Sequence, residues 1–263
     1  MTQEDLVFLK AWFDKYCRSF YSSDIEDQKN ISLKEQHTFK VCENITAISE
    51  RLSLNENQML LASTVALFHD LGRFPQYARY KTFRDSISVN HGLLGAETLQ
   101  EHETLRVLSP DEQEVVIQAV RFHNAFSVPK NERDEIVFFI KLIRDADKLD
   151  IWRVFVEYYE SAEEGRASAV GLGLPEMPVY SEDVLASLYK KQIVPLASIR
   201  TLNDFRLLQL SWIFDLNFTP AFLLLSQRQY IGRITSHLPQ TEVIHSLSIF
   251  LKEYVKTKTS TLS

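Results

Sequence analysis

Glycine and proline are scarce, at seven and eight in 263 residues. A sandwich or barrel turns every few residues and leans on both, so their scarcity argues against a turn-rich β architecture and for helices. Cysteine is almost absent. Cys17 and Cys42 form no C-x-x-C and no disulfide framework, as suits a reducing compartment. There is no excess of basic residues either. The formal net charge is -6, which lacks the electrostatic footprint of a binder of nucleic-acid polymers. A small phosphorylated ligand stays open, because it needs only a local cluster of cations. The opening MTQEDLVFLKAWFDKYC places acids where an export signal carries bases, so a cytoplasmic location is expected.

One apolar run is long enough to test for a membrane span: LLQLSWIFDLNFTPAFLLL, residues 207–225. Gln209, Asp215, Asn217 and Pro220 interrupt it, so it reads as a buried helix pair broken near Pro220. No membrane partner is expected. In this region Trp212, Phe214, Phe218 and Phe222 are expected to pack on the core, with a lid or homodimer surface as the alternative. The whole chain is 45% hydrophobic and 24% charged, ordinary for a soluble globular protein.

What is present is helical periodicity through most of the chain, without a convincing period-two strand or an internal repeat. The clearest helix start is SPDEQEVVIQAV, where Ser109 caps, Pro110 takes the first position and Glu112 completes a capping box. Asn131 and the acids at 132, 134 and 135 open a long helix of about eight turns. LNENQMLLASTVALFHDL runs into Gly72, read as the C-terminal stop. The following RFPQYARYKTFRDS reads as a loop. EEGRASAVGLGLPEMPVYSED, residues 163–183, has no helical period and reads as a second loop. The expected architecture is all-α: one domain over 1–263, with a five-helix, motif-bearing core about 30–160 and a C-terminal helical extension about 180–263.

Several polar residues sit on apolar stripes. His37 shares a face with Val41, Ile45, Ile48 and Leu52. His69 continues Leu61 and Val65, and His123 continues Val116 and Val120. Asp147 lies between Ile140 and Ile143 on one side and Ile151 on the other. Residues three and four apart share a helix face, so each polar group points where the core should be. A buried polar group needs a partner. One His on such a face is usually a hydrogen-bonded core histidine. Several together can instead be satisfied by a shared metal, and imidazole with carboxylate suits Mn, Fe, Ni, Co, Zn or Mg.

In order and context, His37, then His69-Asp70 in FHDLGRF, then Asp147 in RDADKLD resemble the HD-domain metal-dependent phosphohydrolases. The likeness extends to NHGLLGAETL and AVRFHN and covers about residues 30–160. It implies an all-helical, HD-domain-like bundle that hydrolyses phosphate esters, often of nucleotides. It also implies that His37, His69, Asp70 and Asp147 hold one divalent metal. His91 and His123 occupy the places that hold a second metal in dinuclear members, with Asp70 as the bridge. The rival reading keeps one metal and turns these histidines to substrate phosphate. Asp145 and Asp150 are alternatives to Asp147, which continues the apolar stripe and precedes Lys-Leu.

Such chemistry needs cations for the phosphoryl oxygens. Arg73, directly after the HD turn, and Lys148, directly after Asp147, are the catalytic candidates beside Asp70. Arg79, Lys81 and Arg84 read as a solvated loop rather than as phosphate contacts, and Tyr77, Tyr80 and Phe83 as packing rather than as a stack for a base. His102 is expected to be exposed, and His237 and His245 to be structural. No GYP follows RFHN, which disfavours the cyclic-dinucleotide branch. HDLGR lacks the acidic pair of the alarmone hydrolases. HDLGxxP only faintly echoes the deoxynucleotide triphosphohydrolases. The expected partner is a small phosphorylated substrate, a nucleotide first. The competing reading is a non-catalytic helical signalling or interaction module with a structural metal.

Overall fold

The structure, a computed structural model, describes residues 1–161 and 173–260. All of its regular elements are helices, and no strand occurs among the described residues. Of the expected loop 163–183, residues 163–172 lie outside the described residues, 173–181 form no regular element, and a helix begins at Glu182. The chain divides into two compact units, and the division falls inside a helix, between Asp150 and Ile151.

The first unit contains α1 (Gln3–Arg18), α2 (Ile25–Arg51), α3 (Glu56–Phe68), α4 (Arg73–Tyr80), α5 (His91–Glu101), α6 (Pro110–Phe122) and the N-terminal part of α7 (Asp134–Glu160). Local chemistry sets the starts. Asn55 accepts from the backbone of Gln58, and Ser109 from that of Glu112, each completing a capping box; these caps satisfy donors a helix otherwise leaves orphaned. The stripes read from the sequence line the core: Val41, Ile45, Ile48, Val65, Val116, Val120, Ile140 and Ile143 are all fully buried, while Leu52 and Ile151 at the stripe ends are half-buried.

Three boundaries differ from expectation. α7 starts at Asp134 rather than at Asn131. The stretch after the HD pair is not all loop, because Arg73–Tyr80 forms α4. Pro75 lies in the first turn of that helix, where its missing N–H costs nothing, and Phe74 and Tyr77 bury one face while Arg79 stays exposed. Gly72 is no left-handed stop either. It is the N-cap of α4, with φ -66. A Cβ there would lie 2.2 Å from the carbonyl oxygen of His91 and 2.7 Å from the Gly95 nitrogen. Gly72 therefore serves close approach, letting the HD turn rest on the first turn of α5.

The second unit contains the rest of α7, then α8 (Glu182–Tyr189), α9 (Leu202–Ser211), α10 (Thr219–Gln227), α11 (Tyr230–Thr235) and α12 (Glu242–Thr259). Trp152 donates to the Gln209 carbonyl at 2.9 Å, and Phe155 packs edge-on to Phe205. The apolar run 207–225 is α9, a 3-10 turn at Trp212–Asp215 and α10, with Pro220 in the first turn of α10. Phe222 is buried and Trp212, Phe214 and Phe218 are half-buried. No helix among the described residues is long and apolar enough to cross a membrane.

Candidate metal centre

Six side chains from five helical elements and the HD turn converge inside the first unit. His37 comes from α2, His91 opens α5, and Asp147 comes from α7. His69 and His123 are the C-cap residues of α3 and α6. Asp70 follows in the turn that Gly72 closes. All four histidines and Asp70 are buried.

Asp70 divides its two oxygens between two histidine pairs. Oδ2 lies 3.5 Å from His37 Nε2 and 3.8 Å from His69 Nε2. Oδ1 lies 3.3 Å from His91 Nε2 and 3.7 Å from His123 Nε2. Asp147 joins the first pair only, with Oδ1 3.1 Å from His37 Nε2 and 3.7 Å from His69 Nε2. Two sets of three, His37–His69–Asp70 and Asp70–His91–His123, each bring their ligand atoms within 4.8 Å of one another.

Each ring is locked from behind. His37 Nδ1 donates to Asp150 Oδ2 and His91 Nδ1 to Asp85 Oδ2, both at 2.7 Å. His69 and His123 donate Nδ1–H to the carbonyls of Ala66 and Val120, three residues earlier, also at 2.7 Å. The two halves thus repeat one design, a carboxylate-oriented imidazole beside one anchored on its own helix end. With Nδ1 committed as donor, every Nε2 turns inward, the nitrogen that a metal-ligating histidine presents. Within each half these nitrogens face one another, His37 with His69 at 3.3 Å and His91 with His123 at 3.0 Å. Two lone pairs that close repel unless a cation lies between them. The donor set therefore fits divalent ions with nitrogen and oxygen preference: Mn, Fe, Co, Ni, Zn or Mg.

The electrostatics agree. Burial would raise the Asp70 carboxyl, but Lys34, His69, His123 and Arg73 hold it well below the usual carboxylate range. Asp147 is held low against burial by the His37 hydrogen bond. Burial pushes His69 down to about 4 and, with the Arg73 charge, His91 down to about 3. His37 goes the other way. Burial and Lys34 oppose its protonation, yet the hydrogen bonds to Asp147 and Asp150 carry it up to about 9. The first half asks for a cation even without a metal.

The other candidates are placed as follows. Arg73 Nε lies 3.5 Å from Asp70 Oδ1, and its Nη1 donates to Gln76 and Asp85, both at 2.9 Å. Lys148 is half-buried, with Nζ 3.4 Å from the Arg144 carbonyl one turn back. Asp145 is buried away in α7 and Asp150 is the orienter of His37. Tyr77 is buried against Phe83, and Arg79, Lys81 and Arg84 are exposed. His102 is exposed against Trp12, His237 half-buried and His245 exposed.

Two participants carry no motif. Lys34, one turn before His37, donates to Asp70 Oδ2 at 2.7 Å. Asp85, in the single 3-10 turn Asp85–Ile87 before α5, gathers Arg73, Gln76, His91 and Asn124 on one carboxylate. The His91 hydrogen bond leads in holding its acid low against partial burial. The sequence signal for both was weak: a lysine at helical spacing from a ligand, and an acid in a polar connection.

The HD domain family model matches residues 35–152. No curated protein and no solved structure matches the chain. The matched span begins two residues before His37 and ends two after Asp150, so it encloses both histidine pairs, both carboxylates facing them and the orienting acids Asp85 and Asp150. The match supports placing residues 35–152 with the HD-domain metal-dependent phosphohydrolases.

Proposed function

We propose that the chain hydrolyses phosphate esters of a small phosphorylated compound, with nucleotides as the expected class, using two divalent ions. The observation that carries this reading is Asp70, which turns one oxygen to each of two Nδ1-locked histidine pairs. Divalent ions held there supply an acidified water and neutralise phosphoryl oxygens. The chain supplies the rest. His37, His69 and Asp147 hold one half, His91 and His123 the other, and Asp70 joins them. Asp150 and Asp85 keep the imidazoles in the ligating tautomer. Arg73, fixed beside Asp70 by Gln76 and Asp85, places a guanidinium where negative charge accumulates on a transferring phosphoryl group. Lys148, next to Asp147, is the further candidate for that role.

The test is a hydrolysis screen of the protein loaded separately with each candidate metal. Substrates are nucleoside mono-, di- and triphosphates, cyclic nucleotides and simple phosphomonoesters. Turnover is expected with at least one metal and should vanish in His69→Ala and Asp70→Ala together with metal binding. Metal-dependent folding without turnover on any substrate would instead support a structural ion in a non-catalytic module.

A further inference from the structure

Lys34 is the cation this reading leaves without a task. Its Nζ lies 2.7 Å from Asp70 Oδ2, and its ammonium sits 5.3 Å from the centre of the Phe83 ring. Oδ2 is the oxygen that faces His37 and His69. An ammonium ion and a divalent ion therefore draw on the same carboxylate oxygen. The cation near Oδ1 is differently placed, since Arg73 also holds Asp85 and Gln76 and keeps partners whatever Asp70 binds. Among the described residues Asp70 is the one ion-pair partner of Lys34. The imidazoles are locked through Nδ1, whereas Lys34 has a flexible four-carbon stem and a side chain 16% exposed. When the charge on Oδ2 is contested, Lys34 is the group that moves.

We propose that Lys34 couples metal and phosphate at the His37–His69 half: it competes with a divalent ion for Asp70 Oδ2, and a phosphate group relieves the competition by taking the ammonium. A phosphate dianion suits this because its oxygens can meet the lysine and the ion together. The two ligands then bind cooperatively, and by linkage each raises the affinity for the other by the same factor. The inference rests on the phosphohydrolase reading for the ligand class and on the Lys34–Asp70 contact for the competition.

The test titrates Mn²⁺ at fixed pH, with and without inorganic phosphate, in a His91→Ala background that leaves only the His37–His69 half complete. Without phosphate, Lys34→Met should bind Mn²⁺ about tenfold more tightly than the background protein. Phosphate should raise the affinity of the background about tenfold and leave Lys34→Met unmoved. Lys34→Arg should keep the phosphate effect. Lys34→Gln, polar but uncharged, should behave as Lys34→Met and covers the case in which the methionine variant does not fold. Unchanged or weaker Mn²⁺ binding in the uncharged variants overturns the competition, and an undiminished phosphate effect in them overturns the coupling. Coupling without hydrolysis in the intact chain would sink the enzyme reading alone, and hydrolysis without coupling would sink this inference alone.

Discussion

His91 and His123 bring their Nε2 atoms to 3.0 Å of each other while both Nδ1 atoms donate elsewhere, so the contact joins two lone pairs. His37 and His69 come to 3.3 Å, but there His37 keeps a proton on Nε2 until a metal replaces it. The fold holds His91 and His123 against their mutual repulsion, and a cation between them converts the repulsion into binding. Ligand bound only by the folded state stabilises it by about 2.7 kcal/mol at a hundredfold excess over Kd. A divalent ion should therefore raise the melting temperature of chelator-treated protein by at least a few degrees. His69→Ala combined with His123→Ala should abolish the shift. An equal shift in that double variant would place the ion elsewhere.

The histidines also set a pH signature in chelated protein. His37 sits at about 9, above its ordinary 6.5, so its stabilisation is complete below pH 6.5 and lost as pH rises through 9. His69 at about 4 and His91 at about 3 are held neutral by burial. The unfolded chain binds the extra protons there, so stability climbs from those values up to pH 6.5. Maximum thermal stability without metal is expected near pH 6.5, with a decline toward pH 9 that excess metal removes. A melting temperature that rises between pH 7 and 9 in chelator contradicts this.

Because His37 must surrender its Nε2 proton to ligate, loading the first half should release about one proton at pH 7. Calorimetry in buffers of different ionisation enthalpy measures it directly. Asp150→Asn removes one of the two carboxylates that favour the imidazolium and should reduce the release. Zero release by the wild-type chain would mean that His37 is not a ligand.

Gly72 and Gly232 make a matched pair for testing how the HD turn is placed. Alanine at 72 drives a Cβ into the His91 backbone at 2.2 Å, where no side chain can yield. Gly72→Ala should cost about 3 kcal/mol, the upper range for overpacking, and should misplace Asp70 relative to His91. At Gly232 the nearest atom is the flexible Lys252 Nζ at 3.9 Å, so Gly232→Ala should be neutral or stabilising by a few tenths of a kcal/mol. Thermal melts and metal stoichiometry of the two variants decide it.

The convergence of His37, His69, His123 and Asp147 is legible because each breaks an apolar stripe, and inward-facing polar groups in a helical protein must find one another; Asp70 and His91 enter through the family resemblance. Val65 and Val120 point His69 and His123 inward through spacing alone. Gly72 departs from its sequence reading because a glycine after a helix suggests a left-handed stop, and the close approach of α5 is a tertiary fact. The α4 stretch reads as loop because Pro75 and the clustered Arg79, Lys81 and Arg84 hide its buried Phe74 and Tyr77 face. Lys34 and Asp85 stayed silent for a different reason. They act through other side chains, and a single sequence does not show which acid or cation a buried imidazole or carboxylate will meet.

Asp85 gives that point its sharpest test. Its carboxylate locks His91 Nδ1 at 2.7 Å, takes Asn124 at 3.1 Å and Gln76 at 2.9 Å, and fixes Arg73 at 2.9 Å. Asp85→Ala removes the orienter of one imidazole in the second half and leaves the first half, oriented by Asp150, intact. Loss of such a partner typically costs about 10- to 100-fold in metal affinity, so metal content should fall from two ions toward one while the His37 half keeps its affinity. Asp85→Asn still offers His91 Nδ1 an oxygen acceptor and should retain more of the second ion than Asp85→Ala. Elemental analysis after equilibration with limiting metal separates the outcomes. Two ions retained at wild-type affinity in Asp85→Ala would show that His91 needs no orienter, and equal loss from both halves would show that Asp85 acts on the fold rather than on His91.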